Sequence, residues 1–303
     1  MKYPEFRWSF SKHKTLMTCQ AKYYKQYYQS HNGWREDTSA LGRHTYRLKN
    51  LTTLEIEVGN KVHQFIEEVF MNSYQPGIHT EEEMFCSIWN EIMVLVETSL
   101  HHPEVWYEDP RNKMLFEAYY NSEIPDSKLE ETKERLKQIV QNFFQSDTFR
   151  EVTQNHYPVW KTSEKFRHMM NGNIKVQIKM DLLYSDKKTK VVHLVDWKTG
   201  KIREEDRYQL ALYSHYISHA FKRDLSQIKL VNEYLLDNQR KDYQLQQIDI
   251  QNMREVVANS ISYMQSFLEV PDSNVPLDQS FFEQTANEQV CVFCSFKEIC
   301  KKV

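Results

Sequence analysis

Glycine and proline are scarce in this chain of 303 residues, at 6 and 8 respectively. That excludes collagen-like and linker-like architectures, and 40% hydrophobic with 27% charged residues describes an ordinary folded protein. No run of 18 or more apolar residues occurs, and the segment from Met1 to Trp8 has no apolar stretch of the signal-peptide kind. The expectation is a cytoplasmic protein with no membrane association. Basic charge is not in excess either. The formal net charge is -3, so binding to any polyanion must come from local patches. A Gly-x(4)-Gly-Lys-Ser/Thr segment is missing, so any nucleotide-driven motor must be a separate chain.

What the chain does have is aromatic residues, 13% of the total with 18 tyrosines, whose rings pack while their hydroxyls stay available to polar partners. Its five cysteines are uneven, Cys19 and Cys86 standing alone while Cys291, Cys294 and Cys300 crowd the end. A disulfide framework does not suit a reducing cytosol, so the crowding points to metal or iron–sulfur ligation. Cys86 lies on a helical pattern and reads as a small buried hydrophobe.

The length suits one globular unit. Residues 1–50 read as an N-terminal helix segment carrying Cys19, 51–150 as a helical region, 151–270 as an α/β core, and 271–303 as a C-terminal lobe closing on Cys19. Apolar spacing predicts helices over 11–28, 54–70, 80–99, 110–121 and 127–145, with Val62, Ile66, Val69 and Phe70 as the buried stripe of the second. After about 150 the period becomes two. Ile174, Val176, Ile178 and Met180 alternate with Lys175, Gln177 and Lys179, as in a half-buried strand. A turn at Asp186-Lys-Lys-Thr leads to a strand over 190–198, then a helix over 204–220, strands near 227–235 and 243–250, and a helix over 251–268.

Alternation turns Asp181 away from the apolar set that precedes it. On the next strand Asp196 and Lys198 share a face and Trp197 takes the other. Two carboxylates and a lysine can then meet across paired strands. Carboxylate oxygens suit Mg²⁺ or Mn²⁺, which counters phosphate charge and acidifies water, while the lysine orients the water and stabilises developing charge. Asp-x-Lys alone also describes a solvated strand end. Around it stand Gly59-Asn-Lys-Val-His63, with Glu67 a turn beyond on the same helix face, and Gln209-Leu-Ala-Leu-Tyr213, an amide and a phenol one turn apart.

Taken in order, these parts resemble the PD-(D/E)XK nuclease superfamily, in particular its RecB-like branch, with its Gly-x-x-x-His helix, strand Asp, Asp-x-Lys strand and Gln-x-x-x-Tyr helix. The resemblance implies an α/β fold with a restriction-endonuclease-like mixed sheet core flanked by helices, a large N-terminal helical region and a C-terminal iron–sulfur lobe. It implies that His63, Asp181, Asp196 and the Trp197 carbonyl hold the cation, that Lys198 serves the attacking water, and that Gln209 and Tyr213 steady the lysine and the substrate strand. The branch often has glycine three residues before its strand Asp. Here that position is Ile178, whose side chain is expected to narrow the groove. The stretch over 72–150 matches nothing in the family.

Cys291-x-x-Cys294-x(5)-Cys300 is one thiolate short of a tetrahedral set. With Cys19 the pattern is similar to RecB-like nucleases that carry a 4Fe-4S cluster, including AddB-type subunits and CRISPR-associated single-strand exonucleases, although Gln20 stands where the family often has proline. That resemblance assigns the cluster to Cys19, Cys291, Cys294 and Cys300, a staple between distant parts of the chain. Zinc accepts the same four ligands.

Lys12, His13, Lys14, Lys22 and Lys25, then Arg43, His44, Arg47 and Lys49, form two basic stretches that suit phosphate contacts, with tyrosines placed to stack on unpaired bases. The expected activity is a metal-dependent DNA exonuclease or end-processing nuclease acting on single strands or DNA ends, beside a separate helicase or ATPase, in repair, recombination or defence against foreign DNA. Two alternatives are a non-cleaving scaffold that grips DNA or a helicase, and an RNA-cutting defence effector, since the constellation does not read the 2′-hydroxyl.

Overall fold

The strand Val192–Lys198 is the axis of the molecule in this computed structural model, which describes residues 3–71, 79–154, 167–186 and 188–300. It is an inner strand of a four-stranded sheet in the order Leu182–Ser185, Val192–Lys198, Ile228–Tyr234, Gln239–Tyr243. The central pair is parallel and the outer pairs antiparallel. A parallel pair needs a crossover, and the helix Asp206–Phe221 lies within it. A second sheet pairs Arg7–Trp8 in parallel with Ile174–Ile178, and Ile174–Ile178 antiparallel with Arg167–Asn171.

The period of two divides the central strand between two cores. Val195 and Trp197 enter an apolar cluster with residues of the helices Leu54–Met71, Glu81–His101 and Asp126–Gln145. Val192 and Leu194 enter another, with Trp8, Val176, Leu210 and Met253. Trp197 is 1% exposed, its ring stacked on Phe70 at 6.4 Å and edge-on to Phe143 at 5.4 Å. Covering this face is therefore what the helices over 54–145 do for the sheet.

Parts of the chain remote in sequence are interlocked. Trp8 Nε1 donates to Ser260 Oγ at 2.8 Å, the Ala21 amide to the Glu283 carbonyl at 3.0 Å, and Asn274 Nδ2 to the Pro4 carbonyl at 2.8 Å. Among the described residues no helix is long and apolar enough to cross a membrane.

The expected helices over 54–70, 80–99, 127–145 and 204–220 correspond to Leu54–Met71, Glu81–His101, Asp126–Gln145 and Asp206–Phe221, and Val62, Ile66, Val69 and Phe70 are buried. Four expectations are corrected. The first helix is broken at Cys19, which takes an extended conformation and caps the next helix, its sulfur accepting from the Lys22 amide at 3.4 Å. In place of a helix over 110–121 there are Glu104–Glu108 and Phe116–Asn121. The helix Ala40–Lys49 was not foreseen. The strand near 243–250 is instead Gln239–Tyr243, and Ile248 and Ile250, two apart as in a strand, belong to the start of the helix Gln247–Gln265, fixed by reciprocal capping between Gln246 and Asp249. In the turn after Leu182–Ser185, Asp186 accepts from the Lys188 amide and the Thr189 hydroxyl, each at 2.8 Å. Lys187 lies outside the described residues.

Phe143 is fully buried among the rings of Phe70, Phe144, Phe149 and Trp197. Phe143→Ala should cost about 3–5 kcal/mol. Urea denaturation would read this as a lower midpoint at unchanged slope. A cost below about 1 kcal/mol would contradict the claim that this helical layer holds the central strand.

Candidate active site

The even positions that bury Val192 and Leu194 carry on to Asp196 and Lys198 beyond the apolar part of that face. Asp181 sits in the bend before Leu182–Ser185, and because Leu182 pairs with Val195 it lies beside Asp196. The strand Ile174–Ile178 ends earlier than expected and belongs to the other sheet. Ile178 is 1% exposed in the core, so its side chain does not narrow the groove.

His63 is brought in by the helix Leu54–Met71, its Nδ1 3.3 Å from Asp181 Oδ2. The helix can come this close because residue 59 is glycine. A Cβ there would stand 2.9 Å from Thr199 Oγ1, at the end of the Asp196 strand. From the other side, on the helix Asp206–Phe221, Gln209 accepts from Lys198 Nζ at 3.2 Å and donates from Nε2 to the Tyr213 hydroxyl at 2.6 Å. The two groups are an i,i+4 pair on one helix face, with the amide passing orientation from phenol to lysine.

Asp181 Oδ2 also accepts from the Trp197 amide at 2.9 Å. Asp196 is 3% exposed, and burial together with the negative charge of Asp181 pushes its carboxyl up to about 6. Burial acts on Asp181 in the same sense, but the charge and hydrogen bond of His63, the Trp197 amide and Lys198 together outweigh it, and the carboxyl ends below its ordinary value. For Lys198 burial opposes the charge, and Asp196, then Asp206, more than restore it. His63 likewise ends above its ordinary value, burial being outweighed by Asp181.

Lys198 Nζ is 2.6 Å from Asp196 Oδ2, and this buried oxygen has no partner besides that ammonium. An oxygen left in that state beside a second carboxylate and an imidazole has the donor chemistry of a hard divalent cation site. Among the described residues, no group of three or more His, Cys, Asp or Glu side chains is arranged to hold a metal ion. Asp181 is turned to His63 and the Trp197 amide, and Asp196 to Lys198, so protein cations and donors occupy the oxygens that a metal would share.

His63, Asp181, Lys198, Gln209 and Tyr213 line a groove of about 780 Å³, with Asp196 buried behind Lys198, and its walls also include Ser11, Lys14, Lys113 and Lys179. Asp206 escaped the sequence reading. Its Oδ1 lies 3.8 Å from Lys198 Nζ, while its Oδ2 accepts from the buried Tyr234 hydroxyl at 2.9 Å. Its only signal in the sequence is a place one turn before Gln209, which many exposed residues share.

Away from the groove, Cys19, Cys291, Cys294 and Cys300 line one small cavity together with Lys22, Lys25 and Lys297. Lys25 is 1% exposed. Burial pushes the Cys294 thiol up. Cys86 is on the helix Glu81–His101 but exposed rather than buried, because it falls off the stripe of Met84, Ile88 and Ile92.

A family model of the PD-(D/E)XK nuclease superfamily matches residues 7–301. No curated protein matches the chain.

The Gly59 contact is testable by a double-mutant cycle. In a Thr199→Ala background Gly59→Ala should stabilise by about 1 kcal/mol, the helix-propensity gain. With Thr199 present, overpacking of about 1–3 kcal/mol should cancel or reverse that gain. Equal effects in both backgrounds would show that the helix and strand do not press together there.

Proposed function

The chain belongs to the PD-(D/E)XK nuclease superfamily, whose members are metal-dependent nucleases, and from that premise we propose a deoxyribonuclease that trims single-stranded DNA or processes DNA ends. The observation that carries this reading is the meeting of Asp181 and Lys198 at one groove, with Asp196 buried behind them and paired to the lysine and Gln209 holding the lysine from the side. The Gly59-to-His63 helix and the Gln209–Tyr213 pair favour the RecB-like branch, and with it a separate helicase or ATPase partner.

Asp181, Asp196, His63 and the Trp197 carbonyl are the groups that would hold Mg²⁺ or Mn²⁺, and the buried Asp196 oxygen, met by the Lys198 ammonium alone, fits that role. When bound, the cation supplies positive charge against the scissile phosphate and acidifies water. Lys198 holds the water's oxygen in line with the phosphorus and stabilises charge as the bond breaks. Gln209 fixes the direction of the ammonium, and Tyr213 fixes Gln209. His63 keeps Asp181 turned toward the Asp196 strand. Lys113 and Lys179 in the groove wall offer charge to flanking phosphates.

Cys19, Cys291, Cys294 and Cys300 would hold a 4Fe-4S cluster. Four thiolates around iron carry net negative charge, and the presence of Lys22, Lys25 and Lys297 around the same cavity fits that charge. A staple there joins the Cys19 turn to the C-terminal lobe and acts on stability.

Two measurements test these readings. End-labelled single-stranded and duplex DNA should be shortened with Mn²⁺ or Mg²⁺ and spared in EDTA, and Asp196→Ala or Lys198→Met should lower the rate by at least about 10³-fold. Binding without cutting by the unaltered protein would point to a scaffold instead. Protein purified without oxygen should contain iron and acid-labile sulfide, and Cys300→Ser should lose both and melt lower. Zinc in place of iron would overturn the cluster assignment.

A further inference from the structure

Most of the positive charge in the two basic stretches is already engaged. His13 Nδ1 is 2.7 Å from Ser260 Oγ, Lys14 pairs with Glu205 at 3.2 Å, and His44 meets Glu298 at 2.5 Å. Arg43 donates to the Arg35 carbonyl at 3.1 Å, and Arg47 to the carbonyls of Trp106 and Tyr107. Lys22 and Lys25 face the cysteine cavity. Lys12 and Lys49 are different. Their ammonium groups stand over the same ring, that of Tyr27, at 5.3 and 5.9 Å. Lys12 donates to the Arg7 carbonyl at 3.0 Å, and among the described residues no carboxylate forms an ion pair with either lysine. Burial, and then the charges of Lys49 and Arg7, lower Lys12 to about 8. Two cations crowded on one aromatic face without an anion describe a place prepared for one.

The surroundings identify the anion. Lys12 follows directly after Ser11, a residue of the active-site groove wall, on the helix Phe10–Thr18, so the lysine pair lies beside that wall. Lys49 also stands over the Tyr46 ring at 5.9 Å, and Tyr46 packs edge-on against Trp34 at 5.4 Å. Trp34 is 44% exposed, and Gly33 is what admits its loop, since a Cβ there would meet the Tyr46 Cβ at 2.2 Å. A doubly cationic seat beside an exposed indole matches a phosphate followed by an unpaired base. A duplex keeps its base faces covered and could use the lysines alone.

We propose that Lys12 and Lys49 seat a phosphodiester of the same single strand that occupies the groove, and that Trp34 stacks on one of its bases. This rests on the nuclease reading and adds to it the path of the strand away from the reacting bond. The test is anisotropy of labelled oligothymidylate in EDTA, over a range of salt, for the full chain. Lys12→Met with Lys49→Met should reduce the slope of log affinity against log salt by about 0.7, the value for one phosphate that is no longer neutralised. Lys12→Arg with Lys49→Arg should keep the slope. Trp34→Ala should weaken binding by about 5- to 150-fold at every salt concentration. If the double Met variant does not fold, Lys49→Met alone, at an exposed position, should give half the shift. An unchanged slope in folded Met variants overturns the seat while leaving the nuclease intact, and absence of strand binding by the unaltered protein overturns both.

Discussion

Everything at the active site depends on one ring packed from behind. Trp197 lies between Asp196 and Lys198 in sequence and on the opposite face of their strand, wedged against Phe70 and Phe143. A strand can present a carboxylate and a lysine to water at neighbouring positions only if the residue between them is held firmly on the other side. The aromatic layer over 54–145 does this. It explains why the core carries so much helix beyond the one turn that brings in His63.

The second constraint is electrostatic. Two carboxylates are buried side by side, which raises the free energy of their joint ionisation, and the protein meets part of that cost with His63, Lys198 and the Trp197 amide. Asp206 adds a third carboxylate near Lys198, but it is tied to Tyr234 and faces the lysine from outside. The lysine therefore stands between an inner and an outer anion, with Gln209 setting its direction. A charge held this way does not need to reorganise when negative charge develops in the groove.

Strict strand alternation made the shared face of Asp196 and Lys198 legible; for Asp181 it was extended past the end of the strand at Ile178, and His63, Gln209 and Tyr213 stood out only through the resemblance of the whole order to the family. The gathering of the four cysteines was legible from the pattern as a whole rather than from periodicity. Failures came where the same pattern serves two structures. Ile248 and Ile250 stand two apart as in a strand, yet Ile250 opens the buried helical stripe of Met253 and Val257, and Ile248 is left 53% exposed. Cys19 interrupts a helix without glycine or proline to announce it. Asp206 and the Lys12–Lys49 pair depend on tertiary neighbours, Tyr234 and Tyr27, which no local spacing reveals.

The pairing of Arg7–Trp8 with Ile174–Ile178 has a consequence for the timing of folding. Trp8 is completed only by Ser260, and the groove-wall residues Phe10 and Ser11 follow immediately after it. During synthesis the Asp196 strand and its helical backing can form while that wall still waits for chain that has not emerged. Such long-range closure is slow. A growing chain would therefore hold its carboxylates in an unwalled cleft until the segment around Ser260 had emerged to fix Trp8.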